Sequence, residues 1–469
     1  MEKLGIGLIV GNRGFFPDHL CKSGRETFIK ILEKKGCEVF TLSEKDSKFG
    51  SVETWQDAQK CAELFKKNKD KISGIIVTLP NFGDERGIAD TLKYSELNVP
   101  VLIHAWPDDI KKMDLANRRD SFCGKISACN NLNQYGIKFS LTTFHTEDPE
   151  SQIFQHDLDK FFSICRIKQS LKNLKLGAIG TRPDAFKTVR YSEKILERYG
   201  ISINVIDLSE IFLKMDKIPD NDTSVKNKIE EISSYLNKKP LNITEGLIKM
   251  TKLYIVIENW LKENGLQGFS FQCWLAIEEK LGIVPCSVMS YFSHKLIPAA
   301  CEVDVTGLIG MYVLQKASLK PSAIVDWNNN FGDEKNKAVI FHCSNFPLDI
   351  LENPSMEYQA ILSGTIGKEK SLGAVEGKIK KGPFSFLRVS TDDTSGKITG
   401  YVGKGKITED KLNTFGGIGV VEIENLQDLL HFICSNGFEH HVAINLSETA
   451  DAIYEALQHY LNWDIFLHV

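Results

Sequence analysis

The sequence has no apolar run of about 18 residues, no long basic block, no CxxC pair and no phosphate-cradling motif of the GxGxxG or GxxxxGK(S/T) kind. Each absence closes a class of function. Without such an apolar run, no transmembrane helix is expected. Without a basic block, and with a net charge of −4, no nucleic-acid partner is indicated. The 11 cysteines are scattered and odd in number, which fits reduced thiols in a cytoplasmic protein rather than a disulfide framework or a structural zinc site. The N-terminal stretch from Met1 to Gly11 has only Lys3 ahead of a very short apolar run, and it reads as a first strand, not a signal peptide.

What remains is a chain of 469 residues, 42% hydrophobic and 25% charged, long enough for two or three globular domains. Nearly continuous apolar runs such as Gly74–Leu79 alternate with helical patterns such as Gly24–Lys35, Trp55–Phe65 and Ala89–Tyr94. That alternation implies parallel sheets covered on both faces. A second such unit begins near residue 170, with strands at Lys175–Ile179, Ile201–Ile206 and Phe269–Gln272. Helices are expected over Phe186–Tyr199 and Leu247–Glu263, while Asp216–Ser233 reads as partly loop-like and Pro285-Cys286-Ser287 as another strand-end turn. After residue 350 short runs broken by glycine take over, with antiparallel strands at Phe384–Ser390 and Lys397–Val402. A closing α/β return follows, with strand Val442–Asn445 and helix Glu448–Tyr460. The expected class is therefore α/β: two open parallel-sheet domains, 1–170 and 171–350, plus a smaller antiparallel β domain at 351–469.

Polar residues stand where apolar runs end. Glu302 begins a predicted helix that runs to about Ser318, Asp326 follows Ile324 and Val325, and His342 follows Ala338 to Phe341. In an α/β protein ligands gather at the carboxyl ends of strands. Two carboxylates and an imidazole suit a divalent cation such as Mn²⁺ or Mg²⁺. Glu439-His440-His441 supplies further candidates. Side chains alternate along a strand, so His440 and His441 are not both expected to face one ion. Arg182, Gln272 and Trp274 follow strands of the same region and suit sugar hydroxyls and a C–H face. The segment Arg118-Arg119-Asp120 through Lys125 carries three cationic groups in eight residues, and the loop Asn12-Arg13-Gly14 carries Arg13.

These residues together resemble the L-fucose isomerase and L-arabinose isomerase family, in its compact fucose-isomerase-like branch. The family holds its Mn²⁺ with an acid at a helix start and a second acid after the following strand, about 24 residues apart in the fucose branch. Here 326 − 302 = 24. A histidine after the next strand matches His342. A late Gly-x-x-His motif matches Gly437-Phe438-Glu439-His440, with His441 beside it.

The resemblance implies an aldose–ketose isomerase acting through a cis-enediol. Glu302 and Asp326 would be the catalytic pair. They would also hold Mn²⁺, with Mg²⁺ or Co²⁺ as alternatives, together with His440 or His441. His342, Arg182, Gln272, Trp274, Arg13, Arg119 and Lys125 would bind substrate. The resemblance also implies a homotrimer or homohexamer whose sites are completed by a neighbour's N-terminal domain, with a small sugar as the only other partner. A neutral sugar is the first reading and a phosphorylated or sulfonated hexose the second, since Arg forks match such anions. A non-catalytic sugar-binding protein and a metal-dependent lyase are the readings from other classes.

Overall fold

The computed structural model describes residues 3–236, 244–343 and 345–469. The chain divides into two compact units, residues 1–169 with 459–461, and residues 170–458 with 462–469. No helix among the described residues is long and apolar enough to cross a membrane.

The first unit is built on five parallel strands in the order β2-β1-β3-β4-β5. These are β1 (Gly5–Val10), β2 (Glu38–Phe40), β3 (Ile72–Leu79), β4 (Val101–Ala105) and β5 (Ser140–Leu141). Every residue of β1, β3 and β4 is buried, as expected of strands covered on both faces. The helix expected from Gly24 begins at His19. The one expected from Ala89 begins at Glu85, because Asp84 caps it by accepting from Gly87 N.

The second unit opens with a four-stranded parallel sheet of order β7-β6-β8-β9. Its strands are β6 (Leu174–Ile179), β7 (Ile201–Ile206), β8 (Phe269–Phe271) and β9 (Ala299–Cys301). Three local expectations change here. The helix expected over Phe186–Tyr199 is only a 3₁₀ turn at Lys187–Val189 and a short helix Glu193–Arg198, which starts where Ser192 accepts from Ile195 N. The charged stretch from Asp216 is largely helical, Leu208–Asp216 and Thr223–Tyr235, each capped by an aspartate, Asp207 and Asp222. Pro285-Cys286-Ser287 is not a strand-end turn; Pro285 stands at the start of the helix Cys286–His294.

The helix Val305–Ser318 is almost wholly buried and carries the chain into a nine-stranded sheet. That sheet comprises β10 (Ala323–Asn330), β11 (Lys337–His342), β12 (Leu351–Tyr358), β13 (Leu372–Ile379), β14 (Gly382–Asp392), β15 (Lys397–Ile407), β16 (Gly417–Glu422), β17 (His441–Asn445) and β18 (Asp464–Leu467). Six strands run β16-β11-β10-β17-β14-β15, and β15 returns to pair with β16, so they close an antiparallel barrel. Closure removes the edges that an open antiparallel sheet leaves unpaired. The barrel is filled by Val325, Ile340, Phe384, Phe386, Tyr401, Val442 and Ile444. Its strands begin at β10, so residues 323–342, read from sequence with the central α/β domain, belong to the barrel. β17, read as a closing α/β return, is one of its central strands.

Candidate active site

The chain leaves β9 through a turn that few sequences adopt. Glu302 and Val303 have φ of 61° and 57°. For a β-branched residue such as Val303 this is an outlier, and such strain persists at functional sites. Asp304 then caps the helix Val305–Ser318, its Oδ1 accepting from Gly307 N at 2.8 Å. Gly307 is required there, because a Cβ would lie 2.3 Å from Asp304 Oδ2. The expected helix start at Glu302 is thus displaced to Asp304. Glu302 stands ahead of the helix, in the turn.

Asp326 lies within β10, directly across from His441 of β17 and from Phe341 of β11. It is not at the carboxyl end of a parallel strand, which corrects the expectation that placed it there. Cross-strand partners bring Asp326 and His441 together although 115 positions separate them, 441 − 326 = 115. His441 Nε2 is 3.1 Å from Glu302 Oε2 and 3.4 Å from Asp326 Oδ1. Both carboxylate oxygens are buried and find no hydrogen-bond partner of good geometry among the described residues. His342, at the end of β11, is buried beside them, and the donor atoms of Glu302, His342 and His441 lie within 4.8 Å of one another. His440 immediately precedes β17, where strand alternation does not yet apply. Its Nε2 is 3.7 Å from Asp326 Oδ1 and its side chain is 44% exposed, so both histidine rings approach Asp326 after all.

The sequence reading missed what holds this cluster in place. His441 Nδ1 is 2.9 Å from Asp304 Oδ2. Arg388 of β14, fully buried, grips Asp304 with Nη1 at 2.6 Å and Nη2 at 3.2 Å, and donates from Nε to Glu439 at 2.9 Å. Burial alone would keep Asp304 protonated, but Arg388 and His441 outweigh it and hold its carboxyl far below the usual range. Burial also opposes charge on His441, yet the carboxylates of Asp304 and Glu302 on either side of the ring raise it to about 10. A positive charge is therefore favoured at the point where Glu302, Asp326 and His441 meet. The missed signal was the polarity of Asp304 at a helix cap, and of Arg388 inside an apolar strand run.

The remaining candidates divide. Trp274 packs edge-on against Phe186 at 4.9 Å, and Phe186 in turn lies 5.9 Å from the His440 ring and 6.4 Å from that of His441, forming an aromatic wall. Gln272 staples two loops, accepting from Thr181 N at 2.8 Å and donating to Trp274 O at 3.0 Å. Arg182 donates to the carbonyls of Pro183 and Asp184 in its own loop. In the first unit, Arg13 pairs with Glu85 and lies over the Phe82 ring, and Arg119 donates to Pro80 O and lies over Trp106. Lys125 is buried there, with Nζ donating to Thr142 Oγ1 at 2.7 Å and His145 O at 2.9 Å. Its ammonium is thus held inside the unit.

Residues 7–172 match the fucose/sulfoquinovose isomerase N-terminal domain, and residues 340–468 match the L-fucose isomerase C-terminal domain. The chain belongs to the fucose isomerase-like family. It is accordingly an enzyme, an aldose–ketose sugar isomerase. A sulfoquinovose isomerase from Priestia aryabhattai is 24% identical over 391 residues, covering 82% of this chain and 83% of that protein. A protein of the same name from Clostridium sp. (strain MSTE9) is 24% identical over 228 residues, 48% of this chain and 50% of its own. Another from Alkalicoccus urumqiensis is 20% identical over 312 residues, covering 66% and 68%.

Proposed function

We propose that this isomerase interconverts the aldose and ketose forms of a sulfonated hexose through a cis-enediol, with Mn²⁺ held by Glu302, Asp326 and His441. Mg²⁺ and Co²⁺ are the alternative ions. The observation that carries the metal is the pair of orphaned oxygens, Glu302 Oε2 and Asp326 Oδ1, at 3.1 and 3.4 Å from His441 Nε2. Neighbouring ligands of an octahedral ion bound at about 2.1 Å stand roughly 3 Å apart, so the spacing and the oxygen-rich donor set fit. A bound cation of this kind supplies Lewis acidity to the sugar oxygens at C1 and C2 as negative charge grows on them.

The chain's own residues do the rest. Glu302 and Asp326 are the groups that carry a proton between C1 and C2. Asp304 and Arg388 keep His441 oriented with Nε2 toward the two acids. His342 and the half-exposed His440 are placed to meet substrate hydroxyls. Trp274 and Phe186 offer a face to the sugar's C–H surface.

The sulfonated substrate rests on the name shared by the relatives above, and it reverses the order in which a neutral sugar stood first. Arg13 and Arg119 are the candidates for the sulfonate, in a homotrimer or homohexamer whose sites draw on a neighbouring N-terminal domain. An isomerisation assay on sulfoquinovose, fucose and arabinose, before and after chelation and with Mn²⁺ added back, tests both claims. Turnover of sulfoquinovose that is lost on chelation and restored by Mn²⁺ is expected. Turnover of the neutral sugars alone would overturn the substrate, and full activity in stripped protein would overturn the metal.

A further inference from the structure

Four cysteines far apart in the sequence converge beside Glu302. Cys273 follows β8, Cys301 ends β9, Cys286 opens the helix Cys286–His294, and Cys343 follows β11. Parallel pairing sets Phe271 of β8 beside Cys301 of β9, and the chain beyond Phe271 brings Cys273 to Cys301, their Sγ atoms 2.9 Å apart. Cys343 is hydrogen-bonded to both Cys301 and Cys286. The thiols therefore form a continuous run, Cys273, Cys301, Cys343, Cys286. Three are buried, while Cys343 is half-buried and lies 3.8 Å from His342 Nδ1. Two of the four adjoin the site directly, Cys301 preceding Glu302 and Cys343 following His342. The isomerase chemistry uses none of them.

We propose that this run is a modification site for hydroperoxides, closing to a Cys273–Cys301 disulfide that disables Glu302. The peroxide is the two-electron oxidant. The Cys343 sulfur, the most exposed of the four, attacks its terminal oxygen, breaking the O–O bond to leave a sulfenic acid and release water or an alcohol. The Cys301 sulfur then attacks the Cys343 sulfur. The sulfenic hydroxyl leaves as water with the Cys301 proton, and a Cys301–Cys343 bond forms. Cys273 next attacks Cys301, the Cys301–Cys343 bond breaks, and the Cys273 proton passes to Cys343. In sum two thiols lose two protons and two electrons to one peroxide.

The 2.9 Å between Cys273 and Cys301 is about 0.9 Å longer than a covalent S–S bond of about 2.05 Å. Closing that gap draws on the residue just before the Glu302–Val303 turn, whose two left-handed residues leave little freedom to compensate. The loss of activity rests on the reading of Glu302 given above; the formation of the disulfide does not.

Peptide mapping by mass spectrometry after peroxide treatment and alkylation of the full chain separates the two. Linkage of the Cys273 and Cys301 peptides is expected, in step with an activity loss of at least about tenfold that dithiothreitol reverses. Cys343→Ser should slow the linkage about tenfold or more, and Cys273→Ser should trap the Cys301–Cys343 bridge. Inactivated protein with no linkage among the four, or with Cys343 oxidised to sulfinic acid and unbridged, would overturn the site. So would Zn²⁺ on the reduced thiols that blocks bridging. A complete Cys273–Cys301 bridge in fully active protein would overturn the coupling to Glu302. The mapping needs no substrate, so it stands apart from any failure of the sulfonated-sugar reading.

Discussion

The two units differ in where their buried polar side chains converge. In the first, the buried cation and imidazole and the Asn81–Asn12–Glu53 chain are answered from within. Lys125 donates to Thr142 and His145, and His104 sits between Thr78 Oγ1 at 3.0 Å and Glu147 O at 2.7 Å. Asn81 donates to Asn12, and Asn12 to Glu53. Burial pushes His104 down to about 3 and Lys125 down to about 8. In the second unit Asp304, Arg388 and Glu439 are likewise answered, but beside them Glu302 and Asp326 each turn a buried oxygen toward the single ring nitrogen His441 Nε2 and, among the described residues, make no well-formed hydrogen bond with it. Since buried polar groups are nearly always paired, a surplus of aligned acceptors marks the place of a ligand, and a closed network marks scaffold. A polar residue at a strand end does not by itself separate the two.

The contrast can be broken by substitution. Glu302→Gln should lower kcat about a thousandfold and leave the melting temperature and far-UV dichroism unchanged. A kcat within threefold of the parent would remove Glu302 from the chemistry. Arg388→Met should strip two buried acids of their partner at a cost of about 3–5 kcal/mol, read by urea unfolding. A cost under about 1 kcal/mol would show the network to be replaceable by apolar packing.

Glu278 sharpens the rule, because among the described residues it is buried without a partner for either oxygen yet stands outside the donor clusters. Burial, with the nearby Cys343 adding to it, pushes its carboxyl up from 4.5 to about 7. The folded protein thus keeps a proton that the unfolded chain releases. The stability linked to this group is complete below pH 4.5, falls as pH rises, and is lost above about 7. Glu278→Gln should therefore match the parent at pH 4.5 and exceed it at pH 8 by about 3 kcal/mol. Equal unfolding free energies at pH 8 would mean the carboxyl has a partner that stabilises its charge. The smallest effect is expected in the first unit. Lys125→Met should lower stability by about 1–3 kcal/mol with KM unchanged, and a tenfold rise in KM at unaltered stability would return Lys125 to the substrate.

Much of the first unit was legible because continuous apolar runs report a strand buried on both faces wherever it lies. Glu302 and Asp326 were legible through their spacing. What failed depended on contacts between distant segments. Asp326 was read as a strand end, since nothing local distinguishes a barrel strand from the last strand of a parallel sheet. Phe186 was assigned to a helix, and its loop instead carries it to the histidine pair. Arg388 read as one polar residue in an apolar run, because its two acidic partners come from a helix cap 84 positions before it and a segment 51 positions after.

The sequence by itself determined the α/β class, the two acids and the histidine pair as candidate ligands, and, through their order and spacing, the family they resemble. Tertiary structure alone decided which histidine is central, by setting His441 across from Asp326 in the closed barrel and against Asp304 on its other side. It also decided that Lys125 is buried with its ammonium bonded to Thr142 and His145, and that four scattered thiols form one run. The physical reason is common to these cases. Periodicity and caps are local and are written in neighbouring residues, whereas pairing of a buried polar group is settled only when strands from remote parts of the chain take their register.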